Sequence, residues 1–254
     1  MNITQANFFD PIEQTKYIGH ENYVKIEHYI NALKSISKLI DLSFYVVDYY
    51  KKGFYYVSSN DLFLSGYSQE EVLDLGFDFY PRTVSQEDLN LLFELNDAAF
   101  RFFYDLEVSR RDKATISYDF KLKHKNSHRM VMINHKLTPL LLTEGGNIWM
   151  SICLVTLSSS EKSGDVHIIM QDDSSRYDLN KRCLQFIKTQ PKKLTPKETE
   201  IIKLIALGYR TEKVAAILKV SESTVKNHKT QIFKKLHAKT SAEAVFYASK
   251  RGLI

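Results

Sequence analysis

The chain is poor in the residues that crosslink and punctuate a fold. Its 254 residues include nine glycines, five prolines, two cysteines and one tryptophan. Cys153 and Cys183 form no CxxC pair and no disulfide framework, which excludes paired-thiolate zinc and makes a reducing cytoplasm the expected compartment. No GxxxxGK[ST] phosphate loop and no GxGxxG dinucleotide turn occurs, and HExxH and GxSxG are absent too. The longest nearly apolar stretch, Ile148 to Leu157, is too short for a membrane helix of ~20 residues. The N-terminus, MNITQANFFDPIEQ, has acids and no basic start before an apolar run, so it does not read as a signal peptide. The acid pairs Glu70-Glu71, Glu87-Asp88 and Asp172-Asp173 are adjacent. Sequence neighbours on a helix do not share a face, so these are expected to be solvated rather than catalytic. The expectation is a protein that is not an enzyme and has no membrane partner.

What is present divides in two. Hydrophobic residues make up 44% and charged residues 26%, ordinary for a globular protein, and the length suits two modest domains. Residues 191–254 hold 14 Lys and Arg against 5 Asp and Glu, while residues 1–190 hold 21 against 25. A basic end on an acidic body points to a polyanion partner for that end, or else to a lysine-rich solvated surface. Aromatic residues split the other way, with 27 before residue 190 and only Tyr209, Phe233, Phe246 and Tyr247 after it.

Residues 22–40 place Tyr23, Ile26, Ile30, Leu33, Ile36 and Ile40 at helical spacing. FYVVDYY and FYYVS, separated by Lys51-Lys52-Gly53, read as a hairpin. Residues 61–107 read as irregular helices with breaks at Gly66, Gly76 and Pro81. TISYDFKLK (115–123) alternates, and RMVMINHKLT (129–138) follows a Lys125-Asn126-Ser127 turn as its partner strand. A loop at Glu144-Gly145-Gly146-Asn147 leads into IWMSICLVTL, and VHIIM supplies a last short strand near Met170. This is an α+β domain built on an antiparallel sheet. Residues 171–191 are polar and read as a linker, with one short helix over Leu179–Lys188.

The last sixty residues are more specific. Thr195-Pro196-Lys197-Glu198 is a capping box with proline at the first helical position, and the helix it starts stops before Gly208. Thr211 is placed to cap a second helix and Ser221 a third, in which Glu222 suits the positive helix end. Along the third, Val225, Ile232, Phe233 and Leu236 face inward, while Lys226, Asn227, Lys229, Thr230, Lys234 and Lys235 face largely outward. A fourth helix covers roughly 241–250. Two short helices joined by a tight turn, the second polar and basic, describe a helix-turn-helix. A helix ~10–12 Å across fits the ~12 Å major groove of B-DNA, where lysines neutralise phosphates and polar groups read base edges. A lysine-rich face on an ordinary bundle is the competing reading.

Residues 194–245 resemble the LuxR/GerE-type DNA-binding domain. The resemblance is carried by Leu194-Thr195, Glu198, Glu200, Leu204, Ala206, Gly208, Ala215, Leu218, Ser221, Thr224-Val225-Lys226, His228, Ile232, Lys235-Leu236 and Glu243-Ala244-Val245. It implies four helices, the third (221–237) in the major groove and the fourth a dimer contact. It also implies base contacts from Lys226, Asn227 and Thr230, with phosphate contacts from Thr224, Lys229, Lys235 and the region of Thr211 and Lys213. Lys234 joins the phosphate-facing set by its place on the outward flank. Arg210-Thr211-Glu212-Lys213-Val214 departs from the family's Ser-Asn-Lys-Glu-Ile.

Residues 44–158 resemble a PAS domain. Gly66-Tyr67-Ser68-Gln69-Glu70-Glu71-Val72 matches its helical signature, Val84–Leu89 the segment that often reads His-Pro-x-Asp, and Phe120–Val131 its central hairpin. Ser85-Gln86 stand where His-Pro is frequent. The resemblance implies a sensor or dimerisation domain with an unknown small-molecule ligand; His124, His128 and His135 read as surface or hydrogen-bonded histidines, with haem ligation the alternative, and Cys153 reads as a buried small hydrophobe. The expected organisation is an N-terminal helical extension (1–42), a PAS-like domain (43–170), a linker (171–191) and an all-α four-helix helix-turn-helix domain (192–254). The function expected is a cytoplasmic, homodimeric, sequence-specific transcriptional regulator. Its partners would be double-stranded DNA, a small-molecule signal and, for an activator, RNA polymerase. A protein-binding module with no DNA role and a PAS-containing cofactor enzyme are the alternatives.

Overall fold

The computed structural model describes Phe8, residues 18–189, residues 193–250 and residues 253–254. Most of the expected extension before residue 18, and Gln190 and Pro191 of the expected linker, lie outside the described residues. The chain divides into two compact units that part between residues 189 and 190.

The first unit is an eight-stranded antiparallel sheet in the order β2-β1-β5-β4-β3-β6-β7-β8. Its strands are β1 Ser43–Asp48, β2 Gly53–Val57, β3 Ala114–Lys123, β4 Met130–Leu142, β5 Ile148–Leu157, β6 Gly164–Met170, β7 Arg176–Asn180 and β8 Gln185–Thr189. Helix α1, His20–Ile40, precedes β1. Five α-helices lie between β2 and β3: α2 Asp61–Leu64, α3 Gln69–Leu75, α4 Phe79–Thr83, the long α5 Gln86–Asp105 and a short α6, Val108–Arg111. This is the sheet with flanking helices expected of a PAS-like domain.

Both faces of the sheet are covered, which explains its near-continuous apolar strands. Tyr23, Ile26 and Ile30 of α1 pack on Val46, Trp149 and Met150. On the other face, Tyr45, Val47, Ile116, Phe120 and Cys153 pack with Leu92, Leu95 and Phe103 of α5. All six residues of β1 are therefore buried. The buried Asp48 fixes the first turn: its carboxylate accepts from Tyr50 N at 2.9 Å, Lys51 N at 3.0 Å and the Tyr23 hydroxyl at 2.7 Å. Gly66 adopts φ +84°, and a Cβ there would lie 2.5 Å from the His124 ring, so a side chain is doubly excluded.

Three expectations change. Residues 176–189 are not a linker with a helix over Leu179–Lys188; they are the β7–β8 hairpin, paired from Arg176↔Thr189 to Asn180↔Gln185. The sheet thus runs past Met170 to Thr189. Tertiary contacts override the local helical spacing there: Phe102 of α5 meets Tyr177 at 4.9 Å and Phe186 at 5.5 Å between ring centroids. Pro81 does not break the chain; it sits in the first turn of α4, where its missing N–H costs no helical bond. The acid pairs are not merely solvated. Asp88 is buried and accepts from Lys121 N at 3.1 Å, Glu71 closes the capping box of α3, and Asp172 and Asp173 both bind Arg110.

The second unit holds α7 Pro196–Ala206, α8 Thr211–Leu218, α9 Glu222–Leu236 and α10 Ser241–Lys250. Ile201, Ile202, Val214, Ala215, Val225, Ile232, Leu236, Ala244 and Ala248 close its core.

Candidate nucleic-acid interface

Helix α7 starts where the capping box requires. Thr195 Oγ1 accepts from Glu198 N at 3.2 Å, and Glu198 Oε2 accepts from Thr195 N at 2.7 Å. Gly208 at φ +83° ends it, donating its N–H to Ile205 O at 2.9 Å. The cap of α8 is a correction. Arg210 is the N-cap and makes no side-chain capping bond, while Thr211 is already the first helical residue, leaving its hydroxyl out of the cap. Lys219 in the left-handed region turns the chain, and Val220 N closes the turn on Ala215 O at 3.1 Å. Ser221 then caps α9, accepting from Thr224 N at 3.1 Å.

This framework orients α9. Val225, Ile232 and Leu236 are buried in the core. Ser223, Lys226, Asn227, Thr230, Gln231 and Lys234 are exposed, and their three- and four-residue spacing makes one stripe along the helix. At ~1.5 Å per residue, its fifteen residues extend ~22 Å. The structure therefore brings together Lys226, Asn227, Thr230 and Lys234. Ser223 and Gln231 complete the stripe and were not among the expected contacts; the four-residue step from Asn227 to Gln231 was the available signal. The carboxylate of Glu222 lies 4.0 Å from Lys226 Nζ, a loose and exposed pair that leaves the lysine available. Thr230 Oγ1 donates to Lys226 O at 3.1 Å. Thr224 Oγ1 is hydrogen-bonded to Ser221 Oγ at 2.8 Å, and Lys229 is half-buried on the flank. Lys213 is exposed on α8.

Lys235 lies apart from the stripe. Its Nζ contacts Glu198 Oε2 at 2.6 Å, with side-chain exposures of 18% and 5%. Burial pushes the Glu198 carboxyl up, but hydrogen bonds from Lys235 and Thr195 outweigh it and hold the group below its ordinary range. One carboxylate thus serves the cap of α7 and anchors the last turn of α9. Lys235 acts on α9 from inside the unit: its side chain was expected to face outward and instead answers a buried acid.

In the first unit the three histidines differ. The Nδ1 atom of His124 accepts from Asn126 N and Ser127 N at 3.3 Å, shaping the β3–β4 turn, and His128 is exposed. Only His135 is buried, among aromatic rings. Cys153 is buried as expected, and burial pushes its thiol up. Among the described residues, no group of His, Cys, Asp and Glu could hold a metal ion, and no helix is long and apolar enough to cross a membrane. A cavity of about 60 Å3 lies between α5 and the sheet, lined by Tyr45, Tyr80, Asn96, Tyr118, His135 and Cys153 among apolar neighbours.

A capped, tightly turned pair of helices with a polar, basic second member is a helix-turn-helix DNA-binding unit. Residues 192–248 match the family described as bacterial regulatory proteins, luxR family, and this unit is a LuxR-type helix-turn-helix domain. The family is one of regulators rather than enzymes. The oxygen regulatory protein NreC of Staphylococcus carnosus is 46% identical over 61 residues, which are 24% of this chain and 28% of that protein. The chain therefore spans little more than a quarter of the length of the curated relatives it matches. Among solved structures, the transcription factor GerE is 33% identical with a TM-score of 0.23, over 24% of this chain and 90% of GerE. The VqmA dimer of Vibrio cholerae is 14% identical with a TM-score of 0.33, over 84% of this chain and 83% of that one.

Proposed function

We propose that the chain is a cytoplasmic, homodimeric, sequence-specific transcriptional regulator whose PAS-like unit receives a small-molecule signal. The observation that carries this reading is the exposed stripe Ser223–Lys226–Asn227–Thr230–Gln231–Lys234 on a helix pinned at both ends, by the Ser221 cap and the Lys235–Glu198 pair. Inserted in the major groove, the middle of the stripe would meet base edges and Lys234 a phosphate. Lys213 and Thr211 would reach the flanking backbone from α8. Phe246, 62% exposed on α10, supports pairing through that helix. A dimer would set two α9 helices ~34 Å apart on one face of DNA.

A route from signal to DNA follows from α5. One side of this helix lines the cavity with Leu92, Leu95, Asn96 and Ala99. The other meets the β7–β8 hairpin, where Phe102 packs on Tyr177 and Phe186 and Arg101 donates to Leu184 O at 3.1 Å. β8 ends at Thr189, a few residues before the Thr195 cap of α7. Occupancy of the cavity would shift α5 and the hairpin from which the DNA-binding unit continues, provided the signal binds the two states unequally.

The test is selection of duplexes from a random pool by the full chain, then anisotropy titration of the best sequence and a scrambled one between 50 and 200 mM salt. A preferred sequence and a steep salt slope are expected. Equal affinity for both duplexes would remove sequence reading. Absence of duplex binding, with capture of an acidic protein instead, would make the basic unit a protein-docking module.

A further inference from the structure

The inference concerns what the cavity under α5 binds, and it rests on the reading of the PAS-like unit as a receiver. His135 is 1% exposed, and its Nε2 lies 2.6 Å from the Tyr45 hydroxyl, which lies 2.6 Å from the Tyr80 hydroxyl. The Nδ1 atom of the same ring has no hydrogen-bond partner among the described residues. A buried polar atom left unpaired is costly, and such atoms mark strain, bound water or a ligand position. Here the ring lines a cavity several times larger than the ~10–15 Å3 that admits one water.

The chain of hydroxyls gives Nδ1 an adaptable role. When Tyr80 donates to Tyr45 and Tyr45 donates to Nε2, Nδ1 carries the proton and is a donor. When Nε2 donates to Tyr45 and Tyr45 to Tyr80, Nδ1 is an acceptor. The wall is otherwise uncharged: among the described residues the lining contains no Lys, Arg, Asp or Glu. Burial also keeps His135 neutral, its pKa lowered to about 3. A charged molecule entering this site would lose its hydration and find no counter-ion. Aromatic walls from Tyr45, Phe100 and Phe103 suit a flat apolar body.

We infer that this cavity binds an uncharged molecule on the scale of one small ring, with one hydroxyl, carbonyl or ring nitrogen hydrogen-bonded to Nδ1 of His135. Three probes of equal ring size separate the requirements: phenol, which is neutral and polar; toluene, which lacks the polar atom; and benzoate, which is charged at neutral pH. Each is titrated into the full chain by calorimetry, with 15N-histidine labelling to follow the ring nitrogens of His135. Phenol is expected to bind and move the Nδ1 resonance. Toluene is expected to bind at least tenfold more weakly, because it leaves the buried nitrogen unpaired, and benzoate not to bind. Ala99→Leu fills the cavity from α5 while His135 is retained and should abolish phenol binding, which keeps the test informative where His135→Gln fails to fold. Failure of phenol to bind would overturn the inference. So would binding that leaves Nδ1 unmoved, equal affinity for toluene, or equal affinity for benzoate. The DNA titration reports separately: phenol binding with unchanged DNA affinity would sink the receiver reading while leaving the ligand site intact.

Discussion

Replacing Lys235 by methionine separates a structural lysine from a DNA-binding one. The substitution keeps the apolar stem and removes the ammonium that Glu198 meets at 2.6 Å. Glu198, at 5% side-chain exposure, then keeps the Thr195 amide but loses its counter-ion. Breaking a buried pair in this way costs roughly 3–5 kcal/mol. The lower end applies, because the 18% exposure of Lys235 places the pair at the edge of the unit. About 3 kcal/mol raises the opening equilibrium of α9 roughly 100-fold. Hydrogen exchange of the α9 amides in the full chain reads this directly. Glu198 should also titrate higher in the variant, because only burial and the cap remain. A salt titration of operator binding at a temperature where the unit stays folded gives the second reading. Lys234→Ala should reduce the slope of log K against log salt by ~0.9 per protomer, the value for one phosphate contact. Lys235→Met should leave that slope unchanged. Unaltered exchange in Lys235→Met together with a loss of ~0.9 in slope would refute the pairing argument and restore Lys235 to the phosphate-facing set.

Other consequences are as direct. Lys226→Ala should cost ~1–3 kcal/mol on the preferred operator and relax selectivity at one or two base pairs, checked by repeating duplex selection with the variant. Phe102→Ala should leave ligand and DNA affinities separately near wild type while removing the effect of cavity occupancy on DNA affinity, seen in anisotropy with and without saturating probe. Phe246→Glu should lower the dimer fraction in sedimentation and weaken operator binding, whereas an unchanged dimer would place the interface elsewhere. Stability should fall as pH drops below 6.5. Burial lowers His135 to about 3 and, together with Arg176, lowers His167 to about 4, so the unfolded chain takes up protons first. Between pH 6.5 and 5 each histidine should contribute a loss of ~2 kcal/mol, read from urea midpoints.

The elements that the residues disclosed are those in which local chemistry and tertiary packing agree. Thr195-Pro196-Lys197-Glu198 closes its box, Ser221 caps α9, and the alternation of Ile116, Tyr118, Phe120 and Leu122 became a strand facing α5. The misread segment, 176–189, carries Leu179, Cys183 and Ile187 at helical spacing, and its polar–apolar alternation is confined to 176–180. Its strand character comes from Phe102, more than seventy positions earlier, against which Tyr177 and Phe186 pack. No window of the sequence contains that contact. Lys235 follows the same rule. On a helical wheel it borders the basic face, and only the fold brings it to Glu198, 37 residues away. The stripe on α9 was legible because a helix reports its own faces. The His135 site was not, because a vacant nitrogen is defined by what Tyr45, Tyr80 and Tyr118 do around it, and those residues are distant in sequence. Motifs therefore locate the helix-turn-helix unit, whereas the proposed ligand cavity emerges only from burial and unpaired polarity.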